Sequence, residues 1–329
     1  MKELIRKLTT ISSPSGREEQ IRNIIREEIK NYCDEVKEDT LGNLIAIKRG
    51  GETKIQFAAH MDEIGMIVTD IDEKGFLRFG NVGGVSPHRL FGQRARFQKG
   101  TIGVFGAEKI DNIKDLTLDK LYLDIGASSE KEAKEKVSIG DIATYYHEFS
   151  DLGDRVIAKS LDNRIGCAVL IEAMKRATNP QNDLFCTFTV QEEVGLRGAR
   201  TSAFGIEPDL GIAIDVTSTG DTPECERMAV KLGQGAAIKI KDRSLITHPQ
   251  VRDLLTTLSE KNSIPHQFEV LPFGGTDSGA IHLTRAGVPA GVISIPCRYV
   301  HSPSEMIDLK DVEAAVRLAV AVMENKVEL

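Results

Sequence analysis

Apolar, strand-like runs that end close to a histidine or an acidic residue recur along this 329-residue chain. Such runs occupy residues 55–59, 184–191, 210–214 and 291–295, and the fifth residue of the set, an aspartate, precedes an amphipathic stretch. The five side chains in question are His60, Asp162, Glu193, Asp215 and His301. In an open α/β sheet the carboxyl ends of the strands form one edge, so residues far apart in sequence can converge there. The pattern predicts an α/β fold with one site at that edge.

The residue pattern of the chain changes between about residues 65 and 156. Short apolar segments punctuated by many glycines predict a small β-rich unit with one helix over 129–137. Outside it, apolar positions at helical spacing predict helices within 3–31 on either side of a turn at 12–16, and over 164–175, 248–262 and 309–324. We therefore predict a catalytic domain in two parts, residues 1–65 and 157–329, interrupted by a β-rich dimerisation or assembly insertion of residues 66–156.

Composition narrows the classes of function. The net charge is −7, and basic residues are interspersed with acids, so a nucleic-acid partner is not expected. Neither a signal peptide nor an apolar run of about 18 residues is evident, so we expect a cytoplasmic protein without a membrane partner. The five cysteines are scattered and without Cys-x-x-Cys spacing, which favours reduced thiols over disulfides.

The five residues at the predicted edge are of the types that bind divalent metals. Two ions about 3.5–4 Å apart need a ligand that reaches both, and a short carboxylate does this best. We predict Asp162 as that bridge, with His60 and Asp215 on one ion and His301 and Glu193 on the other. Taken alone, Asp162 is more simply explained as a helix N-cap, and each histidine as a structural residue. Their combination favours the metal site.

Other acids lie close to these ligands in the sequence. Asp62, two residues after His60, could accept the second ring N–H and hold the tautomer that binds metal. Glu192 and Glu193 end a run that looks buried, where two acids are costly unless a cation compensates their charge. One could bind metal while the other accepts a proton; an exposed acidic turn is the simpler alternative. Asp277 cannot be given a role from its spacing.

Six short blocks of the sequence carry a resemblance to a known family. They resemble the M42 metallo-aminopeptidases, the group that contains the tetrahedral and glutamyl aminopeptidases, and the resemblance covers almost the whole chain. Two departures are Asn163, where a second aspartate is expected, and residues 84–87, where a Gly-Trp-Asp-Pro-like run is expected. The blocks are residues 60–65, 90–94, 161–164, 190–195, 274–277 and 298–302.

This resemblance implies a mixed-sheet, three-layer catalytic domain like that of zinc peptidases, with a PDZ-like β insertion. It implies two Zn²⁺ or Co²⁺ ions per subunit, Glu192 as general base and Asp62 as the residue that orients His60. The expected activity is removal of N-terminal residues from short peptides by a large homo-oligomer, commonly a hollow tetrahedral dodecamer. The implied ligands are His60, Asp162 and Asp215 for one ion, and Asp162, Glu193 and His301 for the other.

Three alternatives to an aminopeptidase share parts of this pattern. A deacylase of N-acyl peptides or amino acids would use the same metals. An endoglucanase, a label carried by some relatives, would need two carboxylates that flank a sugar rather than two histidines and a bridging acid. Trp is absent, which also disfavours a cleft for sugar rings. A non-catalytic peptide-binding scaffold is disfavoured because no ligand is missing and Glu192 is present.

The insertion also bears on assembly. A small β sheet of about 90 residues is expected to leave strand edges and apolar faces uncovered. A second subunit is the simplest cover, so we expect a closed homo-oligomer.

Overall fold

The computed structural model describes residues 1–225 and 227–328. Within them lie nine α-helices, two short 3₁₀ helices (Ile113–Asp115 and Leu118–Lys120) and seventeen strands. The helices are α1 Lys2–Thr9, α2 Glu19–Ile29, α3 Pro87–Leu90, α4 Glu130–Lys136, α5 Leu161–Arg176, α6 Arg197–Ile206, α7 Pro249–Lys261, α8 Ser278–Ile281 and α9 Leu309–Glu324. The strands are β1 Glu35–Glu38, β2 Leu44–Lys48, β3 Lys54–His60, β4 Gly65–Ile71, β5 Leu77–Val82, β6 Arg94–Phe97, β7 Ile102–Ala107, β8 Leu121–Asp124, β9 Ile142–Tyr145, β10 Ser150–Asp151, β11 Arg155–Ala158, β12 Asp183–Thr189, β13 Leu210–Thr217, β14 Ala236–Lys241, β15 His266–Val270, β16 Ala290–Arg298 and β17 Glu305–Asp308.

An 11-stranded mixed sheet forms the centre of the molecule. Its order is β1-β2-β12-β3-β13-β16-β17-β11-β10, with β14 paired to β16 and β15 to β14. The four middle strands, β12, β3, β13 and β16, are parallel and buried along nearly their whole length. Strands buried on both faces have near-continuous apolar sequences, which is why these runs were recognisable. Their carboxyl ends form the edge at which a site was predicted.

Helices cover both faces of this sheet. Successive residues of a strand point to opposite faces. In β3, Phe57 and Ala59 belong to the core shared with α1, α2, α5, α7 and α9, whereas Ala58 packs with residues of α6 and α8. The predicted three-layer, mixed-sheet α/β fold is therefore confirmed.

A second, smaller sheet closes into a six-stranded barrel in the order β4-β5-β8-β7-β6-β9, with β4 paired to β9. It has an apolar core of its own, which includes Leu77, Phe97 and Phe105. Because the barrel is closed, its strands leave no open edge, and the open-edge argument for assembly is wrong. Exposed apolar side chains lie on the outside of this part instead: Phe91, Ile102, Val104, Ile113 and Ile139.

The barrel strands all fall within the predicted insertion or at its first boundary. Strand β11 pairs with β17 in the large sheet, and β10 pairs with β11 at the end of that sheet. We therefore propose that the inserted unit ends soon after Tyr145, and that the rest of residues 66–156 belongs with the catalytic part. No helix among the described residues is long and apolar enough to cross a lipid bilayer.

A buried ion cluster fixes the segment that follows β3. Glu63 receives hydrogen bonds from Lys159 at 2.7 Å and from Arg164 at 3.2 Å, and all three side chains are at most 5% exposed. Arg164 also donates to the carbonyl oxygens of Leu8 and Ser13. Buried charges are tolerated when they are paired and hydrogen-bonded in this way. The cluster ties the loop that follows His60 to α1 and to the start of α5, where Asp162 lies.

Candidate metal centre and substrate cleft

The structure brings the five predicted ligands together at the carboxyl ends of the parallel strands. His60 is the last residue of β3, Glu193 follows β12, and His301 follows β16. Asp215 was expected to close its strand, but β13 continues to Thr217, so Asp215 projects from within the strand. Asp162 reaches the same place from the start of α5. Two groups of ligands form there, His60–Asp162–Asp215 and Asp162–Glu193–His301, and within each group the ligand atoms lie within 4.8 Å of one another.

Asp162 belongs to both groups, and its two oxygens point to different histidines. Its Oδ1 lies 3.1 Å from Nε2 of His60, and its Oδ2 lies 3.2 Å from Nε2 of His301. Nε2 of His301 is also 3.2 Å from Oε2 of Glu193, and Nε2 of His60 is 3.8 Å from Oδ1 of Asp215. This division of one carboxylate between two imidazoles is the geometry that a bridging ligand requires.

The local backbone explains why the side chain of Asp162 does not cap α5. Asp162 and Asn163 have non-helical dihedral angles, so the regular helix begins after them. Asn163 does the capping: its Oδ1 accepts a hydrogen bond from the N–H of Gly166 at 3.0 Å. Its Nδ2 donates to the carbonyl oxygen of Ile214 at 2.8 Å, which links the helix start to β13. The N-cap interpretation thus applies to the neighbour of the proposed ligand.

Each imidazole has its second nitrogen engaged. Nδ1 of His60 lies 3.3 Å from the carbonyl oxygen of Asp62 and 3.4 Å from its carboxylate. Nδ1 of His301 lies 3.0 Å from the carbonyl oxygen of Gly84 in the barrel part. A Cβ at Gly84 would lie 2.6 Å from the His301 ring, so this close approach requires glycine. In both rings a proton on Nδ1 leaves the lone pair of Nε2 directed into the site.

Asp62 has a second function that its spacing from His60 did not reveal. Its carboxylate accepts hydrogen bonds from the backbone N–H groups of Glu192, at 3.0 Å, and Glu193, at 3.2 Å. The hydroxyl of Ser15 donates to it at 2.7 Å. The same carboxylate therefore positions one imidazole and the two adjacent glutamates.

Glu305 holds two of the proposed ligands and was missed by the sequence interpretation. Its Oε2 accepts from the N–H of Asp162 at 2.9 Å, and its Oε1 accepts from the N–H of His301 at 2.7 Å. Burial, with the nearby charge of Asp162, raises the pKa of Glu305 to about 8. No feature of the local sequence around this acid signals that role.

Asp277, which had no predicted role, is buried close to His60. It directly precedes α8, is 1% exposed and accepts a hydrogen bond from the hydroxyl of Thr189. Burial raises its pKa to about 6, although His60 and Thr189 act in the opposite direction. Asp277 thus connects the end of β12 to the helix layer and belongs to neither ligand group.

The charges of the site are strongly coupled. Burial would lower the pKa of His301, but Glu193 and Asp162 raise it to about 12. Burial and the neighbouring Asp215 and Glu193 raise the pKa of Glu192 well above its ordinary range, against the effect of His60. Burial favours the neutral form of Asp162, but hydrogen bonds from His301 and His60 outweigh it and lower its pKa. A cation bound here would therefore displace protons from the imidazoles.

The donor set fits divalent metal ions. Imidazole nitrogens and carboxylate oxygens in this number suit Zn²⁺ and chemically similar ions. Oε1 of Glu193 is buried and has no hydrogen-bond partner among the described residues. Since buried polar atoms are normally paired, this oxygen marks a position where a ligand for it is expected.

A cleft of about 730 Å³ opens over these residues, a volume typical of a small-molecule or peptide site. One wall comes from the barrel part and contains Gly84, Ser86 and Arg89. Another part of the lining contains Leu271 and the glycine-rich turn Phe273–Gly275. This turn therefore borders the space that a ligand in the cleft would occupy.

Residues 42–318 match the family model described as M42 glutamyl aminopeptidase. The chain is 55% identical to a protein of Acetivibrio thermocellus that carries an aminopeptidase name, over 97% of each chain. The structure superposes on an aminopeptidase from Desulfurococcus kamchatkensis with a TM-score of 0.95 and 41% identity, covering 99% of this chain and 94% of the other. It also superposes on a Pyrococcus horikoshii peptidase, described as able to assemble into a tetrahedron or a large octahedral shell, with a TM-score of 0.89, 38% identity and 98% coverage of both.

Proposed function

The chain belongs to the M42 glutamyl aminopeptidase family, and we propose that it is a dinuclear metallo-aminopeptidase that removes N-terminal residues from short peptides. The observation that supports two metals rather than one is the division of Asp162 between His60 and His301. We assign His60, Asp162 and Asp215 to one ion and Asp162, Glu193 and His301 to the other. Zn²⁺ or Co²⁺ suits these donors.

The ions, when bound, supply Lewis acidity that polarises the scissile carbonyl and makes water more acidic. Glu192 belongs to neither ligand group, lines the cleft and has its Oε2 3.8 Å from Nε2 of His60. We assign it to accept a proton from the attacking water and to deliver that proton to the leaving nitrogen. Burial raises its pKa, which makes this carboxylate a stronger proton acceptor than a glutamate in water.

Asp62, Gly84 and Glu305 hold this arrangement in place. Asp62 and Gly84 engage the outer nitrogens of the two imidazoles, and Glu305 binds the backbone of Asp162 and His301. Such partners orient ligands and keep the intended nitrogen free for the metal. We infer that they keep the two ligand groups at a fixed separation.

A comparison of substrates with and without a free amine tests the activity. We expect hydrolysis of aminoacyl p-nitroanilides, loss of that activity on treatment with a chelator, and recovery with Zn²⁺ or Co²⁺. The N-acetylated p-nitroanilides should not be cleaved. If the acetylated compounds are hydrolysed faster, the enzyme is a deblocking hydrolase when p-nitroaniline is the product and a deacylase when acetate is. If glucan hydrolysis persists in the chelator, the two-carboxylate chemistry of a glycosidase applies instead.

We also propose that the chain forms a closed homo-oligomer, with the tetrahedral dodecamer as the expected form. The shells described for the Pyrococcus horikoshii relative and the exposed apolar side chains on the barrel part support this. Twelve chains of 36.1 kDa give a mass of about 430 kDa. Light scattering at micromolar concentration should detect a particle of that size, and a stable monomer would contradict the proposal.

A further inference from the structure

Arg89 contributes a positive charge to the wall of the cleft. Among the described residues that line it, Arg89 is the one charged side chain that is neither a proposed ligand nor Glu192. The remaining wall is apolar or neutral and includes Leu196, Leu271 and Phe273. A single guanidinium in such a wall offers a specific contact for an anionic group.

The guanidinium of Arg89 has most of its hydrogen-bonding capacity free. Its Nη1 donates to the carbonyl oxygen of Val300. Within residues 1–225 and 227–328, no carboxylate lies within the 4.0 Å of an ion pair. Arginine carries five N–H donors in a planar fork that matches a carboxylate. The side chain is exposed, so these donors can meet a ligand in the cleft.

The position of Arg89 places this charge beside the proposed metal site. Arg89 lies in α3 of the barrel part, five residues after Gly84, whose carbonyl oxygen contacts His301. Val300, which receives the hydrogen bond from Arg89, directly precedes His301. The contact with Val300 therefore holds the guanidinium on the His301 side of the cleft.

We propose that Arg89 binds a carboxylate of the peptide substrate and so determines specificity within the activity proposed above. Two carboxylates of a short peptide could serve: its C-terminal carboxylate, or the side chain of an acidic residue. Both present the two-oxygen acceptor that a guanidinium fork recognises. The identity of the substrate in this inference rests on the proposed aminopeptidase activity. The binding test described below does not require that activity.

Two pairs of substrates separate the two carboxylates. Leu-Gly compared with Leu-Gly-amide tests the C-terminal carboxylate, and glutamyl p-nitroanilide compared with glutaminyl p-nitroanilide tests the side chain. In at least one pair, Arg89→Gln should lower kcat/KM for the anionic member about tenfold, mainly through KM, and change that of the neutral member by less than about twofold. The kcat/KM of Arg89→Lys for the anionic member should fall between those of wild type and Arg89→Gln, because lysine keeps the charge but lacks the planar fork of N–H donors.

Arg94→Gln is the matched control. Arg94 is also exposed, lies five residues further along the barrel part and faces the ring of Tyr146 at 5.0 Å outside the cleft. The Arg94→Gln substitution should leave the ratio of kcat/KM between the anionic and the neutral member unchanged in both substrate pairs. The KM of wild type for the preferred anionic substrate should also rise with ionic strength, and this dependence should be weaker in Arg89→Gln.

A structural role for Arg89, as an anchor on Val300, would lower both members of each pair equally, and that result would overturn the proposal. Unchanged ratios in both pairs would overturn it as well. Calorimetric binding of the same four compounds to Glu192→Gln, with and without Arg89→Gln, tests the contact without turnover. If wild type hydrolyses none of the four compounds but Arg89→Gln still weakens binding of the anionic member relative to the neutral one, the aminopeptidase proposal is refuted. The proposed contact of Arg89 with a carboxylate would then stand.

Discussion

Replacement of Glu192 by glutamine is expected to lower kcat at least about 10²-fold, the lower range for loss of a general base. The side chain keeps its size but can no longer accept a proton. Because Glu192 belongs to neither ligand group, the metal content of the protein should stay the same. Steady-state kinetics with a free aminoacyl substrate and metal analysis of the same preparation measure both quantities.

The neighbouring glutamate provides the comparison for this variant. Glu193→Gln removes a carboxylate whose Oε2 lies 3.2 Å from Nε2 of His301, so we expect it to lower metal content as well as activity. The two substitutions are chemically identical and one residue apart. A Glu192→Gln protein that loses its metal, or that keeps full activity, would refute the division of roles between these acids.

Replacement of Asp162 by alanine is expected to abolish both metal binding and activity. Its two oxygens serve different ligand groups, so the substitution removes one donor from each. Asp215→Ala removes a donor from one group alone and should retain about one ion per chain. Metal analysis after dialysis against metal-free buffer distinguishes these results.

Asp151→Ala is a suitable control, since Asp151 is exposed and pairs with Lys2 on the surface. It should bind metal and hydrolyse substrate as wild type does. If Asp162→Ala kept one tightly bound ion while Asp215→Ala lost both, Asp162 would not be the bridge.

The sequence was informative wherever a segment follows a local rule. The predicted last helix, 309–324, has the observed bounds of α9, and the helix predicted over 129–137 encloses α4, Glu130–Lys136. The runs that became β3, β12, β13 and β16 were recognisable because parallel strands buried on both faces are continuously apolar. The types of residue at their ends were enough to suggest a metal site.

Local sequence patterns could not predict contacts between residues that are far apart in the chain. Closure of the barrel depends on the pairing of β4 with β9, about 75 residues later, and the sequence alone suggested open edges. Glu305 was missed for the same reason. Its carboxylate binds backbone N–H groups, which every residue except proline possesses, so no side-chain pattern marks its partners.

The sequence by itself thus determined the main helices and buried strands, the family, and the set of acids and imidazoles that could bind metal. The tertiary structure alone decided that Asp162 faces two histidines while Asn163 caps the helix. It also decided that the carboxylate of Asp62 accepts a hydrogen bond from the backbone of Glu192, 130 positions later in the sequence. It also decided that Arg89 of the barrel part faces the cleft of the catalytic part. The physical reason is that helix and strand periodicity reflects interactions between residues close in sequence. The direction of a side chain at a strand end is instead set by packing among elements that meet only in the folded chain.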